Sequence, residues 1–214
     1  MLYSEPQYCF SKTRLDQPVL HQLIATLRRY GLTDTRIKGD EKVIMFLDFC
    51  AHKRTMSQLR LDYQHSFRSI SQHIVRVSVY LTRLHLDLSA QKRQEALDNP
   101  AHILSNPRYA YFKGCLGAVD GTHIPIQPHN FESSSWRNRK GWYSQNVLFA
   151  CDFKLNILFV QAGCEGSAND NTVLRRATQR HFGVPPGCFY LGDGGYSKKN
   201  RMLLVPYQRT TISS

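Results

Sequence analysis

Leu20, Leu23, Ile24 and Leu27 recur at steps of three and four, the mark of one face of an amphipathic helix. Asp16 and Pro18 supply a start for that helix and Gly31 a stop. The next apolar run begins near Asp40 and reads "EKVIMFLDFCAH". It is apolar on every side, which predicts a helix buried all round. Thr55 and Gln58 then stand at the spacing of a capping box and predict a short third helix. From near Ser66 the three-and-four rhythm returns in Phe67, Ile70, Ile74, Val77, Leu81 and Leu84. Within that stretch "VRVSVYL" also alternates like a strand, but the longer pattern favours a helix. "SAQKRQEALD" predicts a further helix, stopped by Asn99-Pro100.

Long helix, turn, short helix, turn, long helix is the outline of a helix-turn-helix module. In that reading the outward residues of the last helix, Arg68, Ser69, Gln72, His73 and Arg76, face DNA. A small helical bundle with a solvated polar face has the same outline.

After residue 114 the period changes. "LGAVDGTHIPI", "SQNVLFACDF" and "NILFVQAG" read as strands, the last two joined by a tight "KLN" connection. "NTVLRRATQRHF" is helical and "GCFYLGD" is another strand. Strand-strand-strand-helix-strand predicts an α/β domain, a mixed sheet with helices packed on it, preceded by an all-α region. The expected division is a helical part over 1–100 and a sheet-bearing part over 108–214.

Composition narrows the function. The 214 residues carry a net charge of +12 and a pI near 9.6, with no apolar run long enough to span a membrane. Basic exceeds acidic by six in each half, 16 against 10 over residues 1–110 and 12 against 6 beyond. A surface of that sign attracts polyanions, nucleic acid first among them. "MLYSEPQYCFSKTRLD" lacks the order of a signal peptide, so a soluble intracellular protein is expected. Cysteines 9, 50, 115, 151, 164 and 188 form no Cys-x-x-Cys pair and read as buried reduced thiols.

Candidate chemistry centres on two aspartates. Asp120 lies inside an apolar run and Asp193 ends one, 73 residues later; each is followed by glycine. A carboxylate buried among apolar residues needs a cation or hydrogen-bond donors. On adjacent strands the two would share a divalent ion, and hard oxygen ligands suit magnesium or manganese. The same residues also read as turns, Asp-Gly being a strong hairpin signal. Asp170, three residues after Ser167, reads as part of a capping box, with a supporting role at a metal site as the alternative. His123 and His129 lack metal-ligand spacing. Arg137, Arg139 and Lys140 lie between Trp136 and Trp142, a loop suited to gripping phosphates and stacking on bases, or a plain solvated loop.

Four segments in series, "LGAVDGTHIPI", "WRNRKGWYSQNVLFACDF", "FVQAGCEGSANDNTVL" and "YLGDGGY…LLVPY", resemble the PIF/Harbinger transposases and the nucleases derived from them. The resemblance covers residues 16 to 207. It implies a ribonuclease-H-like fold with a DDE-type endonuclease site in which Asp120 and Asp193 are catalytic and hold Mg2+ or Mn2+. It also implies DNA as substrate, a Myb-like DNA-binding partner protein, a homo-oligomer and work in the nucleus, with the cytoplasm as a second location. The family's third acid is a glutamate a few dozen residues past the second aspartate. Only 21 residues follow Asp193 here and none is acidic. The expectation is therefore a C-terminally truncated domain with weak or absent cleavage. The alternative is a non-catalytic DNA- or partner-binding remnant of a domesticated transposase.

Overall fold

The computed structural model describes residues 5–97, 105–127 and 133–206. They form two compact units that divide between Leu88 and Ser89.

The first unit is helical. It contains α1 (Pro6–Thr13), α2 (Gln17–Arg29), α3 (Gly39–His52), α4 (Met56–Tyr63) and most of α5 (Phe67–Glu95). Helix α1 is short and buries only Cys9 and Thr13, so it leaves no apolar periodicity to read. Leu20, Ile24 and Leu27 pack with Val43, Ile44 and Val77, while Met45, Leu59, Ile70 and Ile74 form a second cluster. Gly31 ends α2 with φ +105°, a conformation a side chain disfavours. The Thr55 box closes as its spacing predicts. Thr55 Oγ1 accepts from Gln58 N (3.3 Å), and Gln58 Oε1 accepts from Thr55 N (2.9 Å).

Three expectations need correcting here. The helix predicted over 89–98 is no separate element but the continuation of α5, which meets no Gly or Pro between Phe67 and Glu95. Asn99 and Pro100 lie outside the described residues. Phe67 is exposed, because the buried face begins one turn later at Ile70. Cys50 is exposed too, and Cys151 and Cys188 are half-buried; all six thiols are free.

The second unit holds a five-stranded mixed sheet. Its strands are β1 (Cys115–Pro125), β2 (Ser144–Cys151), β3 (Ile157–Glu165), β4 (Phe189–Leu191) and β5 (Leu203–Leu204), in the order β3-β2-β1-β4-β5. The first three pair antiparallel; β4 lies parallel to β1, and β5 parallel to β4. This is the arrangement expected of a ribonuclease-H-like domain. The two-residue β5 is too short to show in the sequence pattern. Helix α6 (Asp170–Gln179) packs Val173, Leu174 and Ala177 against Val119, Leu148, Leu158 and Tyr190. The tight β2–β3 connection is held by Asp152, whose Oδ1 accepts from the N–H groups of Lys154 and Asn156, both at 2.8 Å. Among the described residues, no helix is long and apolar enough to cross a membrane.

Candidate active site

Residues 115–125 run as one strand, with Asp120 opposite Phe149 and Gly121 opposite Leu148. Asp120-Gly121 is therefore not a hairpin tip. Side chains alternate across a strand, so buried Val119 is followed by exposed Asp120. The premise that Asp120 is buried is thereby corrected. It leaves the core face and needs no internal cation.

The parallel register brings Asp193 to the same level. Ala118 pairs with Leu191, and each aspartate lies two residues beyond its member of that pair. Neighbouring strands are about 4.8 Å apart. Past Leu191 the chain stays at the sheet for one more step, with Gly192 N donating to Leu204 O (3.0 Å). Asp193 then turns the chain by accepting from Gly195 N at Oδ1 (2.9 Å) and stays exposed.

A third carboxylate arrives from α6. A Cβ built on Gly121 would stand 2.8 Å from Asp170 Oδ1, and one on Gly195 would stand 3.4 Å from Asp170 Oδ2 and 3.1 Å from Asp193 Oδ1. Asp170 thus packs against the glycine beside Asp120 and the glycine two residues after Asp193. The expected capping box is not formed. Asn169 is the N-cap, its Oδ1 accepting from Thr172 N (2.9 Å), and Asp170 is the first helical residue. The sequence ranked the cap first because an acid in a first helical turn reads as a dipole partner whatever else it touches.

Two buried oxygens here lack hydrogen-bond partners, Asn146 Oδ1 and the Tyr196 hydroxyl. The Tyr196 phenol is pushed up, first by burial and then by the Asp170, Asp120 and Asp193 carboxylates. Among the described residues none of the three acids is ion-paired with a lysine or arginine, whereas Glu165 is held by Arg176 (2.6 Å). Unpaired carboxylates, glycines that admit them and orphaned oxygens form a donor set that fits a hard divalent cation. As the side chains stand, no three His, Cys, Asp or Glu groups among the described residues are gathered tightly enough to enclose one.

The basic loop is anchored at the far end of β1. Buried Asn138 accepts from Lys140 N (2.9 Å) and Trp142 N (3.3 Å) and donates to Ser144 Oγ (3.1 Å), which also meets His123 Nδ1 (2.9 Å). That leaves Arg139 and Lys140 exposed at the tip; Arg137 is exposed as well but donates from Nε to Gly141 O (2.9 Å). Trp136 and Trp142 are half-buried, and Trp142 meets His123 edge-on. His129 lies outside the described residues.

In the helical unit Arg68, Gln72 and Arg76 are exposed on α5 and Ser69 is half-buried. His73 is buried, which corrects its expected outward position: it shares the face of Ile70 and Val77. Its pKa is lowered, chiefly by burial and then by Lys42, Arg76 and His65.

Asp120 on β1 and Asp193, two residues past the end of β4, thus lie at neighbouring positions of a mixed α/β sheet. Residues 119–213 match the family model of the DDE superfamily endonucleases, in keeping with the resemblance to the Harbinger transposase-derived nucleases. Residues 1–83 match a domain of unknown function, DUF8040. The chain is 36% identical over 86 residues to the Rattus norvegicus protein named "Putative nuclease HARBI1", covering 39% of this chain and 25% of that one. The Mus musculus protein of that name is 33% identical over 93 residues, with 42% and 27% covered, and the Homo sapiens one 34% over 86, with 39% and 25%. The chain therefore matches about a quarter of the length of these relatives. No solved structure matches it significantly.

Proposed function

We propose that the chain is a divalent-metal-dependent DNA endonuclease of the transposase-derived kind, with Asp120, Asp170 and Asp193 holding Mg2+ or Mn2+. The observation that carries this reading is the β1–β4 register, which sets Asp120 and Asp193 abreast while Asp170 packs against their neighbouring glycines. The chemistry such ions supply when bound is activation of a water or 3′-hydroxyl and neutralisation of the leaving oxygen in an in-line phosphodiester displacement. The protein's part is to present acid oxygens from a rigid sheet. Asp120 from β1, Asp193 from the turn after β4 and Asp170 from the start of α6 would hold the ions. Arg137, Arg139 and Lys140 hold the phosphodiester backbone, and Arg68, Gln72 and Arg76 form a second DNA-binding face on a helix-turn-helix made by α3, α4 and α5. DNA as substrate goes with work in the nucleus, beside a Myb-like DNA-binding partner and as a homo-oligomer.

Nicking of supercoiled plasmid in Mg2+ or Mn2+ tests this. Against the weak or absent cleavage expected from the sequence, a site that Asp170 completes predicts that the wild-type chain nicks and that Asp120→Ala, Asp170→Ala and Asp193→Ala each fall to the protein-free background. Cleavage that survives Asp120→Ala would overturn the assignment. A second reading is DNA binding without cleavage. It is favoured by the loose spacing of the acidic groups and the +12 charge, and it predicts a salt-sensitive complex and no nicking.

A further inference from the structure

Asn146 lies on β2 opposite His123 and is 1% exposed. Both of its amide N–H bonds go to the start of α6. Nδ2 donates to Ala168 O (3.0 Å) and to Asp170 Oδ1 (3.2 Å), bracketing the N-cap Asn169. Both partners are acceptors, so the amide's orientation is set: nitrogen toward the turn, oxygen toward β1. That oxygen lies 3.4 Å from where a Cβ of Gly121 would stand, and it has no hydrogen-bond partner. An unsatisfied buried oxygen is destabilising.

The consequence falls on Asp170. Alone, a carboxylate on the first residue of a helix rotates freely. With Oδ1 held by Asn146, Oδ2 is turned toward Gly195 and so toward Asp193. We infer that Asn146 is a positioning residue. It pins one oxygen of Asp170 to the sheet so that the other is presented to the cation shared with Asp193. The inference rests on the proposed nuclease reading, and it goes beyond that reading by assigning a role to a neutral residue that touches neither substrate nor ion.

The test uses the full chain and two readouts. The first is Mn2+ affinity, measured from the electron paramagnetic resonance of free Mn2+. Loss of an outer hydrogen-bond partner typically weakens metal binding about 10–100-fold. Asn146→Leu, which keeps the shape and removes the donors, should weaken Mn2+ binding by that factor. Asp120→Ala should weaken it at least as much. A purely structural role would lower the melting temperature and leave the affinity of the folded protein unchanged. The second readout needs no metal and no folded Leu variant. The side-chain amide signals of Asn146 in the 15N spectrum should shift in Asp170→Ala and stay in place in Asp193→Ala.

Folded Asn146→Leu binding Mn2+ like wild type, or amide signals indifferent to Asp170→Ala, overturns the positioning role and leaves the nuclease reading standing. Equal Mn2+ binding by wild type and Asp120→Ala overturns the nuclease reading and the positioning role with it.

Discussion

At the scale of single residues, the glycines after the aspartates have a different task from the one their pairing suggests. Gly121 sits in regular antiparallel pairing with Leu148 and turns nothing. It is glycine because a side chain would meet Asp170. Gly121→Ala should therefore leave the strand intact and push the Asp170 carboxylate off the Asn146 amide. The expected outcome is Mn2+ affinity lower by about tenfold or more with only a small change in melting temperature. A variant that unfolds instead would show that Asp170 cannot move. This contact explains what the sequence concealed. Asp120 and Asp193 stood out as candidates because each ends or interrupts an apolar strand run. Asp170 stood out only as a cap or supporting residue, because its partners Asn146, Gly121 and Gly195 are distant in the chain and only the folded sheet brings them together.

At the scale of elements, helix starts and stops followed local chemistry and were readable. The Thr55–Gln58 box, the Gly31 stop and the three strands before α6 all lie where the pattern puts them. Long-range contacts decided the rest. Helix α1 is held by Lys12, whose Nζ reaches Asp48 (3.4 Å) and Asp62 (3.2 Å), and Arg54 reaches the same two acids. Asp48 also accepts from the Tyr63 hydroxyl (3.2 Å) and lies near His52, yet its side chain has no exposure at all. Nothing in "MFLDFCAH" announces that role. Two substitutions in this unit should rank accordingly. Thr55→Ala removes one exposed cap and should cost about 1 kcal/mol. Asp48→Ala removes a carboxylate with no exposure that Lys12, Arg54 and the Tyr63 hydroxyl all engage, and should cost more than the cap. Urea unfolding followed by circular dichroism measures both, and the reverse order would mean that the Asp48 network contributes little.

At the scale of the whole molecule, charge governs both stability and binding. His73 is buried with its pKa lowered below 6.5, so below pH 6.5 the unfolded chain binds the proton more readily than the folded one. Its contribution is complete above that pH and is lost as the pH falls. Asp34 and Asp62 are lowered as well, the first chiefly by the Gly39 N–H and the second chiefly by Lys12, and their support is lost only further down, in the carboxylate range. Acid titration should thus show a first loss of helical stability just below pH 6.5 that His73→Leu removes, and a later one that it leaves. Binding to DNA should show the charge in a different way. Each phosphate neutralised releases condensed counterions, giving a slope near −0.9 per contact in log affinity against log salt. The +12 charge makes a steep slope expected for any duplex sequence, with or without metal. Changing Arg137, Arg139 and Lys140 together to alanine should flatten it by about 3 and weaken all duplexes alike. Arg68→Ala and Gln72→Ala should act selectively if α5 reads base edges, costing about 1–3 kcal/mol at particular positions. Fluorescence anisotropy across a salt series separates the two outcomes. An unchanged slope in the loop triple variant would remove that loop from the DNA path. Loss of sequence preference with an unchanged slope in Gln72→Ala would place recognition in the helical unit, and the sheet would keep only the backbone and the chemistry.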